Sequence, residues 1–464
     1  MQRVTIERTQ HAVGHGGFHT GIVRTFEPTR AESLLGDERP IASLSYVYDC
    51  GSEQNQAFNS ELSLYRSASN GRTDLLFVSH LHSDHINGLD RLQAMAPAKT
   101  VVAPYLDLTE RLLLVLSDFE AGKASASGLE YFRDPVDWWQ RRGAEHIVFL
   151  QAGSGDDVPP PRAADPDGPV DDPRSGEDPE VYEARKEKKP GTRIASYFRK
   201  PRGAVPPGLE PAKDSVRDAK KSALLAGAGS AFQVEWRSNV DQSWQVGDWI
   251  LLPYVHPVDD PARRQFLKDL KKALKIRGND QLRLSEALVR HLLSFEKTKQ
   301  LVEIYRRHFG SSHNSISMSL FSGPSCKRSS PRDEHWDRHW HTTRYHPHFG
   351  RYDRFGEALG WLGTGDATLR QLKWRDPLMT FFAPFADEIG IMTLPHHGSA
   401  HNFHPDILDY ARLATALATT VEKRNRVAGI RETLGEAELR GIDAQVVDDA
   451  RDNRFKIHCE RMMR

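Results

Sequence analysis

The sequence predicts an α/β fold of helices layered on sheets, because strand-like runs alternate with helical segments along much of the chain. Strand-like runs with turn residues between them occupy the first hundred or so residues, at 3–7, 22–26, 43–48, 75–78 and 101–104. Segments 57–67 and 87–95 lie between these runs and have the apolar spacing of helices packed on a sheet. Near the carboxyl end, a predicted helix at 431–440 is flanked by strand-like runs at 414–420, 444–449 and 454–459.

Length and charge limit the domain organisation and the kinds of partner. The chain has 464 residues, more than one compact domain usually needs, so we expect two domains or one domain with a large insertion. The order of the motifs described below favours an insertion. The 63 basic and 63 acidic side chains cancel, so no global field attracts nucleic acid or an anionic membrane. Any polyanion has to be bound locally.

Targeting signals and cysteine frameworks are not evident. The amino-terminal MQRVTIERTQ lacks the apolar run of a signal peptide, and nowhere do about 18 apolar residues follow one another as a membrane helix requires. The separations of Cys50, Cys326 and Cys459 are typical of neither a disulfide framework nor a zinc knuckle. A soluble cytoplasmic protein with no membrane association is therefore predicted.

The middle of the chain departs from the alternating pattern. Residues 153–208 are rich in Pro, Gly and Asp and then in basic side chains, a composition that cannot bury enough apolar surface to become ordered. We expect most of this segment to be a flexible surface excursion whose basic end either contacts a polyanion or is simply solvated. Strands are predicted again at 231–236 and 249–253, followed by a hairpin of helices at 262–276 and 284–308.

One stretch carries most of the predicted chemistry. Residues 79–89 read SHLHSDHINGL and continue the apolar strand-like run 74–79. Four candidate metal ligands thus emerge together at the carboxyl end of a strand: His80, His82, Asp84 and His85. Imidazole nitrogens suit zinc, iron or manganese, and a carboxylate adds the negative charge that helps to hold a second cation. The pattern predicts a dinuclear metal site.

The His-x-His-x-Asp-His pattern resembles the hallmark of the metallo-β-lactamase-fold hydrolases. Further motifs follow in the family's order: Asp-Cys-Gly at 49–51, Gly-Thr-Gly-Asp at 363–366 and Leu-Pro-His-His-Gly-Ser at 394–399. The glycine-rich turn at 13–16 and the His-His-Gly-Ser motif are similar to the branch related to the hydrolase domain of competence-associated DNA-uptake proteins. The resemblance covers residues 1–105 and 310–460 and leaves out the middle third.

This resemblance implies a four-layer αββα sandwich. Residues 1–150 would form its first half and residues 311–464 its second. Between them lie the flexible segment at 151–210 and a strand plus a helical insertion at 211–310. The insertion could roof the active site, recruit a partner or only pad the fold.

The resemblance also implies ligands from the second half. His313, just before the strand-like run 316–321, is the candidate that completes the shell of the first metal. Asn314 is the alternative, because the competence-related branch often has a polar residue other than histidine there. Asp366 follows an apolar run and is the candidate carboxylate that bridges both cations.

Three further histidines follow the strand-like run 389–394. Of His396 and His397, one should bind the second metal and the other should orient a ligand or phosphate, and the His-Gly pattern slightly favours His397 as the ligand. His401 is either a general acid or anion contact or an ordinary loop histidine. The aromatic and basic stretch 333–354 is either a substrate rim that stacks bases or a locally folded loop.

The predicted reaction is hydrolysis. Two divalent cations, zinc or manganese or else iron, that share a bridging hydroxide would lower the pKa of bound water from about 16 to near 7. Asp366 would hold the metals and Asp84 would steer the water proton. The first expectation is a phosphodiesterase or nuclease acting on nucleic acid or a nucleotide. The alternatives are hydrolysis of a lactone, thioester or β-lactam, and an effector whose activity is released by a regulatory protein partner, such as a protease cutting within 153–208.

Overall fold

The computed structural model describes most of the chain, in segments separated by gaps. The described residues are 2–26, 40, 42–120, 122, 124–153, 157, 159, 192–203, 205–212, 222–237, 244–256, 261–276, 281–292, 294–309, 316–325, 341–346, 350–354, 358–421 and 427–463. Two sheets face each other within them, and helices cover both outer sides. No helix in these ranges is both long enough and apolar enough to cross a lipid bilayer.

Eighteen strands belong to the described residues. In chain order they are β1 (Gln2–Gln10), β2 (His19–Phe26), β3 (Ala42–Tyr48), β4 (Thr73–Phe77), β5 (Ala98–Pro104), β6 (His146–Leu150), β7 (Thr192–Arg199), β8 (Glu210–Pro211), β9 (Ser222–Arg237), β10 (Trp244–Val255), β11 (Met318–Pro324), β12 (His341–His346), β13 (Gly350–Arg354), β14 (Gly360–Gly363), β15 (Ile389–Thr393), β16 (Thr415–Ala418), β17 (Asp443–Val446) and β18 (Phe455–Met463). Most of them match runs predicted from the sequence.

The first sheet has the order β13-β12-β18-β1-β2-β3-β4-β5-β6-β9-β8. Strands β3 to β6 are parallel to one another. The second sheet has the order β7-β9-β10-β11-β14-β15-β16-β17, and β14 to β17 are parallel. Strand β9 belongs to both sheets, because residues 222–226 pair with β6 and residues 232–237 pair with β10.

The helices follow the same chain order. They are α1 (Asn55–Ala68), α2 (Ser83–Ile86), α3 (Leu89–Met95), α4 (Leu108–Glu120), α5 (Ala126–Arg133), α6 (Pro135–Arg141), α7 (Pro261–Ala273), α8 (Gln281–Leu292), α9 (Phe295–Phe309), α10 (Leu372–Phe382), α11 (Asp406–Asp409) and α12 (Val427–Glu438). Helices α1 and α3 bury Phe58, Leu62 and Leu92 in the core of the first sheet. On the other side, Phe382 of α10 and Ala437 of α12 belong to the core of the second sheet.

Hydrogen bonds join the inner faces of the two sheets. Tyr46 Oη donates to Ser322 Oγ at 2.8 Å, and Tyr48 Oη donates to the Met318 carbonyl at 2.6 Å. Each bond satisfies a polar group in a buried layer, where an unpaired hydroxyl would be costly. The predicted α/β fold class is confirmed, and its layers are consistent with an αββα sandwich.

Helices α7, α8 and α9, here called the helical module (residues 261–309), form a separate small core with α4 and α5. Phe266, Leu288 and Tyr305 of the module pack with Leu112 and Leu116 of α4. The sequence predicts one helix across 284–308, but the structure has two. The break lies near Ser294, whose amide bonds the His291 carbonyl at 3.0 Å in a tight turn.

The prediction that residues 151–210 form a flexible segment is wrong for part of that range. Residues 192–199 form β7, which pairs antiparallel with β9. The run reads TRIASYFR, and its β-branched and aromatic residues favour a strand although the segment as a whole has a disordered composition. Residues 160–191 lie outside the described residues. In the stretch 333–354, the described parts form the hairpin β12–β13, which extends the first sheet beside β18.

Candidate metal centre

Polar side chains from several loops meet at one edge of the two sheets. Asp49 follows β3 and residues 79–85 follow β4, while Asp366 follows β14 and residues 396–397 follow β15. Each of these strand pairs is parallel, so both of its loops leave the sheet at the same end. The eight residues whose donor atoms converge there are called the donor cluster: His15, His80, His82, Asp84, His85, Asp366, His396 and His397.

Asp366 lies at the centre of the donor cluster and is buried. Its Oδ2 lies 3.3 Å from His80 Nε2 and 3.8 Å from His396 Nε2. Its Oδ1 lies 3.3 Å from His85 Nε2 and 3.7 Å from His397 Nε2. The two carboxylate oxygens thus face different pairs of histidines, as they would in a carboxylate that bridges two cations.

The His-x-His-x-Asp-His motif contributes to both sides of Asp366. On the Oδ2 side, His82 Nδ1 lies 3.1 Å from His80 Nε2. On the Oδ1 side, Asp84 Oδ2 lies 3.2 Å from His397 Nε2 and 3.7 Å from His85 Nε2. The Nε2 atoms of His85 and His397 are 3.3 Å apart. The four polar side chains of the motif are therefore directed into one site.

Asp49 fixes the orientation of two of these rings. Its Oδ2 accepts a hydrogen bond from His85 Nδ1 at 2.8 Å and another from Ser79 Oγ at 2.7 Å. Because the Ser79 hydroxyl donates to Asp49, it accepts from His80 Nδ1, which lies 2.9 Å away. Both rings then carry their proton on Nδ1 and present the lone pair of Nε2 to the cluster, the arrangement typical of metal-binding histidines.

The spacing of the donor atoms fits the coordination shell of a metal. Atoms bound at about 2.1 Å to a tetrahedral cation lie about 3.4 Å from one another. The separations described above range from 3.1 to 3.8 Å. Moreover, Asp366 Oδ1 is buried and accepts no hydrogen bond from any described residue, although such an orphaned oxygen is costly. A divalent cation on each side would satisfy these facing acceptors.

The charges of the cluster also suit cations. Burial alone would raise the pKa of Asp366, but the neighbouring His80 and His85 hold it well below its usual value. Burial and the adjacent His80 lower the pKa of His82 to about 3, so this ring is neutral. Although burial opposes it, Asp366 and Asp49 raise the pKa of His85 well above its usual value. The same carboxylates that favour positive charge on His85 would favour a bound cation beside it.

The loops that carry the donors hold unusual backbone conformations. Asp49, His396 and His397 have φ angles of 59°, 49° and 59°, in the left-handed region that residues other than glycine rarely occupy. Such strain is found mainly at functional sites, where the surrounding fold enforces it. Gly365 also has a positive φ, and a Cβ there would lie 2.6 Å from Ser317 Oγ. Glycine thus allows the Asp366 loop to approach β11.

The structure places the two adjacent histidines in different surroundings. His397 is buried and faces Asp84, His85 and Asp366. The side chain of His396 is 34% exposed and lies on the Oδ2 side of Asp366, and Asn402 Nδ2 donates to its Nδ1 at 2.8 Å. Both belong to the donor cluster, but only His397 is buried within it.

Of the remaining predicted site residues, His401 does not join the cluster and His313 lies outside the described residues. His401 is exposed, and within the described ranges no hydrogen bond or ion pair connects it to the donor cluster. Its role as a general acid or anion contact stays a prediction. His313 and its alternative Asn314 lie outside the described residues, so the choice between them also stays open.

Two residues of the site were not predicted as functional. Asp49 belongs to the Asp-Cys-Gly motif, and its position at the end of a strand was the signal that could have identified it. His15 lies in the glycine-rich turn between β1 and β2, with Nε2 3.8 Å from Asp84 Oδ2. Its sequence context suggested only a turn, because nothing local indicates that β1 and β2 place this turn beside the end of β4.

Comparison with known proteins agrees with this centre. Residues 44–181 match the family described as the metallo-beta-lactamase superfamily, a region that includes most of β3, all of β4 to β6 and the whole His-x-His-x-Asp-His motif. This match supports a metallo-beta-lactamase superfamily domain in that region, and the superfamily implies a metal-dependent hydrolase. The match does not address the competence-protein branch, which stays a prediction. No curated protein matches the chain in sequence.

The chain is also similar to solved structures of metallo-beta-lactamases and of a protein with that fold. The metallo-beta-lactamase fold protein YhfI from Bacillus subtilis is 9% identical, with 97% of this chain and 99% of that chain covered and a TM-score of 0.31. The subclass B3 metallo-beta-lactamase MEM-A1 from a soil metagenome library is 15% identical, with 51% and 60% covered and a TM-score of 0.14. A motif mutant of the metallo-beta-lactamase from Cronobacter sakazakii is 11% identical, with 64% and 89% covered and a TM-score of 0.17.

Proposed function

We propose that this protein is a dinuclear metal-dependent phosphodiesterase that acts on nucleic acid or a nucleotide. The observation that carries the metal-dependent part is the donor cluster, in which acceptor atoms from distant parts of the chain face one another at 3.1 to 3.8 Å. We also propose that the protein is cytoplasmic, as predicted from its sequence. Zinc and manganese both suit this mixture of nitrogen and oxygen donors.

Each side of Asp366 would hold one cation. His80, His82 and Asp366 Oδ2 would bind the first, and Asp84, His85, His397 and Asp366 Oδ1 the second. When bound, the cations would supply Lewis acidity toward water and toward the electrophile. The protein's own part is to fix the donors: Asp49 orients His80 and His85, and buried Asp366 keeps the two sides together. His396, at the exposed border of the cluster, is positioned to orient a substrate phosphate.

The charge of the helical module supports a polyanionic substrate. Residues 261–309 contain 13 Lys and Arg against five Asp and Glu, a net charge of +8 in a chain whose total is zero. Nucleic-acid affinity depends largely on such local groups of cations, because each phosphate that they neutralise releases counterions. A lactone, thioester or β-lactam offers no comparable charge for this module to bind.

The cations of α7 lie on the side opposite its buried face. Phe266 and Leu270 are buried, one helical turn apart, whereas Lys268, Lys272 and Lys275 are exposed. No ion pair within the described ranges involves these three lysines. The spacing places them along one stripe of the helix and its carboxyl end, so they can contact successive phosphates.

The helical module is attached at the border of the donor cluster. Before the module, the chain leaves β10 at His256, whose amide bonds the Ser317 carbonyl at 3.4 Å. Ser317 Oγ in turn accepts from the Asp366 amide at 3.1 Å. At the start of the module, Arg263 pairs with Asp107 and Glu110. These two residues lie at the beginning of α4, shortly after the end of β5. The amino end of the helical module therefore lies near the edge of the fold that carries the donors.

A cleavage panel tests the proposal. Purified protein would be depleted of metal, reloaded with zinc or manganese, and incubated with single- and double-stranded DNA, RNA, cyclic nucleotides and the small diester bis(p-nitrophenyl) phosphate. We expect metal-dependent cleavage of at least one phosphodiester. Hydrolysis of a chromogenic β-lactam, a lactone or an acyl thioester without phosphodiester cleavage would overturn the assignment in favour of a carbonyl hydrolase.

The role of the module is tested by charge reversal. We expect Lys268→Glu with Lys272→Glu to lower kcat/KM on a 30-nucleotide strand by roughly tenfold at low salt, and to reduce the slope of log affinity against log salt by about 1.4. Cleavage of bis(p-nitrophenyl) phosphate should not change. The matched control, Arg66→Glu with Lys373→Glu, alters the net charge equally on exposed positions of α1 and α10. Equal effects of both variants would contradict a local contact.

Activation by a protease remains a separate prediction. The cleavage region proposed for it, 153–208, lies mostly outside the described residues, and β7 occupies part of the remainder. Limited proteolysis followed by the cleavage panel tests it directly. Activity that does not change after clean cleavage would exclude this form of regulation.

A further inference from the structure

The glycine-rich turn between β1 and β2 carries a buried histidine whose ring lies inside the donor cluster. His15 Nε2 is 3.8 Å from Asp84 Oδ2, and its ring centroid is 4.1 Å from that of His397. The donor atoms of His15, Asp84 and His397 all lie within 4.8 Å of one another. We infer that His15 is an additional ligand of the cation on the Asp84 side, an inference that rests on the proposed metal-dependent function.

A pair of threonines supports this assignment. Thr419 Oγ1 lies 3.1 Å from His397 Nδ1, and the next residue, Thr420, places its Oγ1 3.2 Å from His15 Nδ1. The Thr420 hydroxyl donates to the Val421 carbonyl at 3.4 Å, so it accepts from His15 Nδ1. His15 then presents the lone pair of Nε2 to the cluster. Two consecutive residues after β16 thus hold the two rings in the same way, as partners of metal ligands do.

The backbone of the turn is fastened to the same site. The Gly17 amide bonds the Asp84 carbonyl at 3.1 Å, and the Glu53 amide bonds the His15 carbonyl at 2.9 Å. At Gly16, a Cβ would lie 2.4 Å from the Gly51 carbonyl oxygen, so only glycine allows this close approach. Because the turn is held both to Asp84 and to residues 51–53, the position of His15 is set together with that of Asp84.

The Asp84 side gains a fifth donor atom when His15 is included. Without it, the Asp84 side has Asp84, His85, His397 and one oxygen of Asp366, the last of which is shared. With it, the side gains a nitrogen donor of its own, so this cation would be bound more tightly and with less dependence on Asp366. A change at His15 should therefore affect one of the two cations and leave the other.

Titration of metal-free protein with Co(II) and zinc tests the assignment by binding rather than by turnover. For His15→Gln we expect one cation to bind as in wild type and the other at least about 100-fold more weakly, since loss of an outer partner alone costs about 10- to 100-fold. The visible spectrum of the second Co(II) should change as well. The control is His146→Gln, which removes a histidine at the amino end of β6, at the opposite edge of the first sheet.

Thr420→Val provides a second variant, because it keeps His15 and removes only the hydroxyl that orients its ring. We expect a loss of roughly tenfold for the same cation. Two cations bound to His15→Gln with wild-type affinity and spectrum would overturn the inference, and so would a wild-type protein that binds only one. A wild type that binds two cations but cleaves no phosphodiester would overturn the proposed substrate while leaving the His15 assignment standing.

Discussion

Two buried polar clusters in this molecule are built on opposite principles. The first is the Glu61 cluster, which consists of Glu61, His11 and Arg454. Its carboxylate is 1% exposed and accepts hydrogen bonds from basic side chains of the protein itself. Arg454 Nε and Nη2 donate to its two oxygens at 2.7 and 2.6 Å, and His11 Nδ1 donates at 2.8 Å. In the donor cluster, carboxylate oxygens and imidazole nitrogens instead face one another around Asp366.

The difference shows which buried charge is structural and which is prepared for a ligand. The Glu61 cluster is complete, because each acceptor has a basic donor and the positive and negative charges offset each other. The donor cluster has carboxylates held ionised and the orphaned oxygen of Asp366, which an added cation would satisfy. Substitutions in the two clusters should therefore have separable effects, on metal binding in one and on stability in the other.

The largest expected effect follows from Asp366→Asn, which removes the central negative charge at nearly constant volume. We expect loss of at least one cation and a fall in kcat/KM on a phosphodiester of about 1,000-fold or more, since metal polarisation contributes several kcal/mol. Elemental analysis and kinetics on the same preparation measure both. Retention of two cations and of activity would contradict the central place given to this residue.

Glu61→Gln should have the opposite effects, lowering stability without changing metal binding. It removes the negative charge that pairs with half-buried Arg454 and weakens the hydrogen bond from buried His11, so we expect the free energy of unfolding at pH 7 to fall by about 2 to 3 kcal/mol. Metal content should stay as in wild type. Denaturant unfolding with elemental analysis measures this, and a loss of metal without a loss of stability would show that the two clusters are not independent.

Acid should weaken the Glu61 cluster in a defined window. Burial alone would raise the pKa of Glu61, but the hydrogen bonds from Arg454 and His11 lower it to about 2. A carboxyl with a depressed pKa in the folded state stabilises the protein above its unfolded pKa of about 4.3 and loses that contribution as the pH falls toward 2. Metal-free wild type should lose about 2 kcal/mol more than Glu61→Gln between pH 7 and pH 3. Parallel pH profiles would contradict the assignment.

The smallest effect is expected for Asp49→Asn, which acts on the donor cluster only through His80 and His85. An amide can no longer accept both hydrogen bonds in the same way, so we expect each cation to bind about 10- to 100-fold more weakly while two still bind at saturation. Asp74→Asn is the matched control, since Asp74 Oδ2 accepts from the Ser45 amide at 2.7 Å on the same sheet. Equal losses in both variants would indicate a general effect on the fold.

The part of this site that the sequence predicts is the part encoded locally. His80, His82, Asp84 and His85 lie within six residues, and the apolar run before them places them at the end of a strand. Asp366 and the His396–His397 pair were predicted only through the resemblance to a family. Their approach to the first motif depends on how β14 and β15 face β4 across the two sheets, which no local pattern contains.

His15, β7 and the break in the helical module show why the rest escaped prediction. The role of His15 depends on a turn between β1 and β2 that reaches the end of β4, which is a property of the assembled sheet. The strand β7 lies at the end of a segment whose average composition indicates disorder. The break near Ser294 interrupts a helical pattern that continues on both sides, so apolar spacing alone could not locate it.

The pairing of β1 with β18 has a consequence for how the protein is made. Gln2 stands opposite Met463 and Gln10 opposite Phe455, so the first strand has a neighbour on that side only after residues 455–463 have been synthesised. Contacts between such distant residues form slowly, because a long loop must close first. The turn that carries His15 follows this strand, so we expect the centre to mature only after residues 455–463 have joined the sheet.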